Sequence, residues 1–286
     1  MKGLGQIMSY KVIVDSCGEL TEEMKANGNF ETASLTMEVG GIRIIDDASF
    51  DQADFLRRVA ECPESPKSSC PSPEDYMEKY RCEAERVYAV TLTAELSGSY
   101  NSAVLAKNLY IEEYGEKNIH IFNSRSASIG ETLIAMKVQE CEEAGMSFEQ
   151  VVDTVERYID GQHTYFVLEN LDTLRKNGRL TGIKSLVAGA LNIKPVMAAT
   201  PEGTICQIGQ ARGIKKALSK MVDQIAGETQ GAEEKILAIS NCNCRERAQE
   251  VQRMLLSKMK VKASFIVDMA GISSMYGNDG GIIVVI

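Results

Sequence analysis

Three loops rich in serine follow short β-branched runs of this chain, and their side chains are the best candidates for binding a ligand. The loops lie at residues 15–18, 93–99 and 123–128. A serine hydroxyl donates one hydrogen bond and accepts others, so a site built from these loops would be lined by hydroxyl groups. The question is then which elements bring the three loops together.

Nucleophilic catalysis is poorly supported by the residues available. Catalysis of the Ser-His-Asp or Cys-His kind needs a histidine, and the two histidines, His120 and His163, lie in segments without a second recognisable catalytic group. The eight cysteines are scattered, and the spacing of the closest pair, Cys242 and Cys244, misses the C-x-x-C of zinc and thioredoxin sites. We therefore interpret the cysteines as reduced thiols and expect neither a hydrolase nor a metal site.

Charge and composition exclude several classes of partner. The 286 residues carry a net charge of -9, with a pI near 5.0, which argues against binding to nucleic acid or to an anionic membrane surface. No run approaches the roughly 20 apolar residues of a membrane span, and the first residues lack a secretion signal. Neither common nucleotide-binding glycine motif occurs. We expect a cytoplasmic protein without a cofactor and without stable membrane insertion.

The order of elements in the first half predicts a parallel sheet. Three β-branched runs are each followed by a polar loop and an amphipathic helix, and the strands are predicted at 11–16, 86–92 and 118–123. Repeated strand-loop-helix order is typical of a parallel sheet covered by helices. Ligands of such sheets bind beyond the carboxyl ends of the strands. The three serine-rich loops should therefore meet there.

The second half predicts a mixed α/β arrangement. A helix at 147–162 is followed by strands predicted at 164–168, 193–199, 205–209, 235–240, 262–268 and 281–286. The segment 62–73 holds four of the six prolines and is predicted to be an irregular loop. We place a boundary near Gly161, which divides an α/β chain into domains at 10–160 and 161–286.

Several fragments together resemble one known family. They are VDSCGEL at 14–20, SSCPSPEDY at 68–76, LTAELSGSYNSA at 92–103, IFNSRSASIGE at 121–131 and LDTLRKNGRLTGIKSLVAGALNIKPVMAATPEGTI at 171–205. They are collinear with the DegV family, whose members have two α/β domains with a fatty acid between them. The resemblance implies binding of a long-chain fatty acid rather than catalysis, and in some members presentation of that acid to a fatty acid kinase.

The resemblance also implies site residues. Ser68 stands where the family has a carboxylate-binding threonine, with Ser69 beside it, and Ser97 with Gly98 matches the L-S-G motif. Arg179 matches the arginine on the kinase-facing side. Ser126 lies in a loop similar to D-S-x-S-A-S. Apolar candidates for the wall of a lipid channel are Ile129, Leu133, Phe166, Leu186, Val187, Leu191 and Ile193.

Other interpretations remain open for these residues. Ser97 could cap the helix near Tyr100, Ser126 and Ser128 could cap the next helix, and Ser68 and Arg179 could be solvated surface groups. An alternative function is a hydrolase or transferase with Cys17 or Cys70 as nucleophile, and another is a regulatory scaffold with a vestigial cleft.

The chain also departs from the family pattern. Asn123 replaces an aspartate, Cys70 replaces a glutamine, and Met275 stands where the family has a histidine. The loss of that histidine weakens the link to a kinase. Lipid binding does not need it.

Overall fold

The computed structural model describes residues 10–180 and 192–286. Its strands are β1 Tyr10–Asp15, β2 Phe30–Ala33, β3 Thr36–Val39, β4 Ile42–Ile45, β5 Lys67–Ser69, β6 Arg86–Thr91, β7 Asn118–Asn123, β8 Thr164–Val167, β9 Ile193–Ala199, β10 Ile205–Arg212, β11 Ile236–Asn241, β12 Ala263–Asp268 and β13 Ile282–Val285. Its α-helices are α1 Glu22–Ala26, α2 Gln52–Glu61, α3 Pro73–Tyr80, α4 Ser99–Tyr114, α5 Ile129–Glu143, α6 Phe148–Asp160, α7 Asp172–Lys176, α8 Ile214–Glu228, α9 Arg245–Lys258 and α10 Gly271–Gly277.

The first half contains the predicted parallel sheet. Its four strands run in the order β2-β1-β6-β7, and every neighbouring pair is parallel. The central strands are buried on both faces because helices cover each side, which explains their continuous β-branched sequences. The α/β prediction is confirmed, and β2 is a strand that the sequence reading missed.

The second half contains a mixed sheet of six strands in the order β10-β9-β8-β13-β11-β12. Only β11 and β12 are parallel, and the remaining neighbours are antiparallel. Strands β9 and β10, both predicted as strands, pair as a hairpin with its turn at residues 200–204. Helices α8 and α9 pack on one face of this sheet through Met221, Val222 and Val251.

A third, small sheet corrects the prediction for residues 62–73. Strand β5 pairs antiparallel with β3, so Ser68 lies opposite Met37, and β4 pairs with the other edge of β3. Helix α3 then begins at Pro73, with Ser72 as its N-cap in a capping box. The segment is therefore partly regular, because a proline-rich chain can form an edge strand wherever its N–H groups face outward.

Helix α5 lies between the two large sheets. Ile134, Ala135 and Val138 pack in the core of the parallel sheet, whereas Ile129 and Leu133 pack against Ala238 and Val285 of the mixed sheet. Its first seven residues are all buried. Such burial on every side of the first two turns is expected of a helix that packs between two sheets. Helix α5 therefore holds the two halves of the molecule together.

The division into 10–160 and 161–286 stays a prediction. The separation of the two large sheets supports it, since the parallel sheet ends at Asn123 and the mixed sheet begins at Thr164. Within the described ranges, no helix combines the length and apolar character that crossing a bilayer requires.

Leu133→Ala tests the central position of α5. The side chain is 1% exposed, and its truncation should lower the free energy of unfolding by about 2–5 kcal/mol, because the packed sheet and helix close only partly over the gap. The measurement is urea unfolding. Leu105→Ala on α4 is the matched control, since Leu105 is 48% exposed and should change stability by less than about 0.5 kcal/mol. Equal effects of the two variants would contradict the packing described.

Candidate functional site

A cavity lies between the serine-rich loops of the first half and strand β8 of the second. Thr164, Phe166 and Leu168 all line it, because alternate residues of an extended strand face the same side. Leu174 of α7 and then Arg179 continue the wall past the end of β8. The cavity thus follows the chain for about 13 Å from Thr164 to Leu168 and continues past it, so it has a Thr164 end and an Arg179 end.

The wall of the cavity is mostly apolar. The cavity encloses about 760 Å³ of space between atoms, with the solvent at its open mouth included. Much of the wall is aliphatic or aromatic, including Leu92, Leu96, Phe166, Ile205 and Ile272.

Hydroxyl groups in the wall are hydrogen-bonded within the protein. Ser126 Oγ is 2.6 Å from Thr164 Oγ1, and Thr93 donates to the Gly203 carbonyl at 3.1 Å. Ser128 and Ser273 donate to the buried carboxylate of Glu19. The serine-rich loops do meet as predicted, but their hydroxyls point to protein partners. The wall they form is therefore effectively apolar.

The Arg179 end is the polar end of the cavity. The Arg179 guanidinium donates to the carbonyls of Leu96, at 3.2 Å, and Asn177, and it lies 6.0 Å from the ring centroid of Tyr276. Ser68 Oγ is 3.0 Å from the Tyr276 hydroxyl. Within the described ranges, Arg179 forms no ion pair with a carboxylate. A cation at one end of an apolar cavity is suited to an anionic head group.

Four more predicted residues gather near this end. Ser97 follows Leu96, and its Oγ accepts a hydrogen bond from the Ser99 N–H at 3.2 Å, at the start of α4. Gly98 is exposed, and a Cβ at this position would lie 3.1 Å from the Cys70 sulfur. The loop of Ser97 and the strand of Ser68 and Ser69 are therefore neighbours. None of the four lines the cavity itself, and their role as ligand contacts stays a prediction.

Ser126 is placed elsewhere. It is buried at the Thr164 end, far from Arg179, and it lines the cavity without capping α5. Ser128 is the N-cap residue of α5 but its hydroxyl makes no cap hydrogen bond, so the capping alternative is wrong for both serines. The N-cap residue of α4 is Gly98, which has no side-chain cap, so Ser97 lies one residue before the cap and its bond to the Ser99 N–H is local to the loop.

The apolar candidates for the wall divide into three groups. Phe166 lines the cavity. Ile129 and Leu133 are core residues beneath it, and Ile193 is a half-buried residue of β9 outside the wall. Leu186, Val187 and Leu191 lie outside the described residues.

Behind the cavity wall lies a pair of buried carboxyl groups. Asp15 accepts hydrogen bonds from Leu92 N at 2.8 Å, Cys17 N at 3.1 Å and Ser99 Oγ at 2.5 Å. Glu131 is fully buried, and neither of its oxygens receives a hydrogen bond from a donor in the described residues. Burial raises the pKa of Glu131 well above its usual range, and the Asp15 charge raises that pKa further. The protonated form of Glu131 is therefore favoured in the folded protein.

Two further buried carboxylates hold α10, which forms part of the cavity wall. Asp46 accepts from Gly271 N and Ile272 N, both at 2.8 Å, so it binds the first turn of the helix. Glu19 accepts from Ser128 and Ser273. Burial raises the pKa of Asp46 to about 6 and that of Glu19 to about 7, although the hydrogen bonds to both groups act in the opposite direction.

The geometry gives no support to a cysteine or serine nucleophile. Burial and the nearby carboxylates raise the pKa of the Cys17 thiol well above its usual value, which disfavours the reactive thiolate. His120 contacts Glu156 at 3.2 Å on the outside of β7, and neither it nor His163 lines the cavity. No histidine in the described ranges is therefore placed to activate a nucleophile. Among the described residues, no three metal-ligating side chains cluster.

Comparison with known proteins identifies the family. The model of the DegV family, described as an uncharacterised protein family, matches residues 9–284. The chain belongs to the DegV family. A DegV domain-containing protein of Streptococcus gordonii is 33% identical over 96% of this chain and 98% of its own length.

Solved structures of DegV proteins share the fold. A DegV family protein from Ruminococcus gnavus, refined with vaccenic acid, is 67% identical with a TM-score of 0.96, covering 98% of this chain and 100% of its own. The Streptococcus pneumoniae Fatty Acid Kinase (Fak) B3 protein, loaded with linoleic acid, is 32% identical with a TM-score of 0.88, covering 97% and 99%.

The sequence alone did not indicate several residues that lie in or behind the cavity wall. Tyr276 and the acids Asp46, Glu19 and Glu131 were not singled out, because an isolated acid or tyrosine in a sequence more often is solvated or part of the core. One signal was available. Asp15 and Glu19 lie in VDSCGEL, directly after a buried strand, where a polar side chain reaches the end of the sheet.

Glu131→Gln tests the buried acid pair. Because the pKa of Glu131 in the folded state exceeds the unfolded value near 4.5, its contribution to stability is present below that pH and is lost as the pH rises through the folded-state pKa. The amide has nearly the same shape as a protonated carboxyl group but cannot ionise. As the pH rises above about 5, the free energy of unfolding should therefore fall less steeply in the variant than in the wild type.

The exposed Glu140 on the same helix supplies the control. Glu140→Gln should leave the pH profile of stability as it is in the wild type. Parallel profiles for Glu131→Gln and the wild type would show that Glu131 is ionised in the folded protein.

Proposed function

We propose that this chain binds a long-chain fatty acid in the cavity along β8, with the carboxylate at the Arg179 end. The observation that carries the proposal is the polarity of the cavity. Its wall hydroxyls are occupied by protein partners, and its Arg179 end presents a guanidinium without a carboxylate partner in the described residues. The fatty acids in the Ruminococcus gnavus and Streptococcus pneumoniae relatives support the same assignment.

The apolar tail supplies most of the affinity. About fifteen buried methylenes at roughly 0.8 kcal/mol each gain on the order of 10 kcal/mol before the cost of ordering the chain. The wall residues Phe166, Leu168 and Ile205 offer aliphatic or aromatic surface to such a tail. Orientation comes from the head group, since only one end of the cavity carries a cation suited to a carboxylate.

The finer proposal concerns the head-group contacts. Arg179 supplies charge, and the Ser68 hydroxyl reaches the same end through its contact with Tyr276. Ser97 and Gly98, with Ser69 across from them, belong to the two segments that border this end. A carboxylate that loses its water needs several donors, and hydroxyl and guanidinium groups together satisfy that need.

Presentation of the bound acid to a fatty acid kinase is a further part of the proposal. The likeness to the Fak B3 protein supports it. Met275, at the position of the family histidine, is 1% exposed and packs with Cys17, Leu35 and Met37. It offers no titratable group to a partner, so any phosphoryl transfer would depend on the kinase. The cytoplasmic location, the lack of a cofactor and the lack of catalysis by this chain alone stay predictions.

Native mass spectrometry of the purified protein tests the binding proposal. The expected spectrum shows the chain with one fatty acid, and denaturing extraction should release a long-chain acid. A protein that carries no lipid and takes up neither palmitate nor oleate when they are added would refute the proposal.

Arg179→Leu tests the head-group end. Loss of a charge-assisted hydrogen bond should weaken binding of oleate about tenfold to a hundredfold, with little change for oleyl alcohol, which has no carboxylate. Ser68→Ala and Ser97→Ala should each weaken oleate binding by a smaller factor, since a neutral donor contributes less. The measurement is displacement of a fluorescent fatty acid.

Arg175→Leu is the matched control for this series. Arg175 is exposed on α7 and pairs with Asp172 at 2.8 Å, so its loss should leave oleate affinity as in the wild type. If Arg179→Leu weakens acid and alcohol equally, the guanidinium does not bind the carboxylate.

A further inference from the structure

A polar partition, formed by Ser126, Thr164 and Gln162, separates the cavity from the surface at the end opposite Arg179. Ser126 and Thr164 are 4% and 7% exposed, and their hydroxyls are 2.6 Å apart. Both residues line the cavity, whereas Gln162 lines a groove on the outside of the molecule. The partition is therefore a thin wall between two spaces.

The outer groove offers apolar surface beyond this wall. It runs along α5 and is lined by Leu133, Met136, Tyr158 and Ile236 as well as by charged residues at its rim. Ser126 of the cavity wall and Gln162 of the groove wall both approach Gly130, so the two spaces come close together at the partition.

Gln162 is held in an unusual environment for an amide. Both its Nε2 and its Oε1 are buried, and neither has a hydrogen-bond partner among the described residues. A Cβ placed on Gly130 would lie 2.1 Å from Ser126 Oγ and 3.1 Å from Gln162 Nε2, so the lack of a side chain at Gly130 lets these groups approach. A buried amide without partners lowers stability, so folding alone does not explain its presence.

We propose that this partition sets the upper limit on the length of the acyl chain that the cavity accepts. The inference rests on the proposed function and makes it more specific. A tail that reaches Thr164 ends against a closed hydroxyl pair. A longer tail has to separate that pair and press an apolar methyl group against the unpartnered amide of Gln162, which is unfavourable for both. The ligand class is thus long-chain acids, with very-long-chain acids rejected.

Variants that open the partition provide the test. In Gln162→Ala combined with Thr164→Ala, the cavity and the groove join, and the affinity for behenate relative to palmitate should rise about tenfold. Gln162→Leu keeps the volume of the side chain and removes the amide. If the volume of the side chain sets the limit, Gln162→Leu should prefer the same chain lengths as the wild type. If the amide dipole also contributes, its preference should lie between those of the wild type and the opened variant. The measurement is competition among palmitate, stearate, behenate and lignocerate.

A filling variant tests the same end in the opposite direction. Ala199 lines the cavity beside Thr164, since β9 pairs with β8 in that register. Ala199→Leu should shift the preference from stearate towards myristate. Thermal melting would show whether the opened variant is folded. If it is not, Ala199→Leu still tests the inference.

Gln252→Ala is the control, because Gln252 is a half-buried glutamine on α9 that donates to Ser264, away from the cavity. Its length preference should match that of the wild type. An unchanged preference in both the opened and the filled variants would overturn the inference while leaving lipid binding intact. A wild-type protein that binds no fatty acid would instead refute the proposed function itself.

Discussion

Buried carboxylates must be satisfied by donors, and this requirement shapes the region around the cavity. A charge removed from water is costly unless hydrogen bonds replace its hydration. Asp15 accepts a hydrogen bond from the loop that follows β6. Glu19 accepts hydrogen bonds from Ser128 and Ser273, which lie in opposite halves of the chain. Asp46 binds the first turn of α10. Each acid therefore fixes a part of the wall that local sequence would leave free.

The same acids determine which parts of the cavity surface can donate hydrogen bonds to a ligand. The hydroxyls of Ser128 and Ser273 donate hydrogen bonds to Glu19, so they are not free to donate to a ligand carboxylate. The negative charge behind this part of the wall also disfavours an anion there. The Arg179 end has the opposite character. An amphipathic acid therefore has one favourable orientation in the proposed complex.

Strain in the backbone accompanies this arrangement. Ser128 has a φ of 57° and Arg125 a φ of 49°, a left-handed region that residues other than glycine rarely adopt. Both residues lie in the loop that lines the cavity. Their hydrogen bonds, from Ser128 to Glu19 and from Arg125 to Asp160, hold them in place. Such strain is typical of positions that the surrounding structure determines for function.

Local sequence determined the long elements and their order. Runs such as KVIVD and RVYAVT form buried strands, and the bounds of β7 agree with the prediction, because the hydrophobic period is a local property. The family motifs also pointed to Ser68, Ser97 and Arg179, which the fold brings to one end of the cavity.

Only the tertiary structure decided the rest. Strand β5 is three residues long and exists because β3 pairs with it, and α10 is seven residues long and depends on Asp46, which lies 225 residues earlier in the chain than Gly271. Ser126 faces Thr164 rather than a carboxylate for the same reason. Pairing partners and buried donors come from distant segments, and no local pattern encodes which of them will meet.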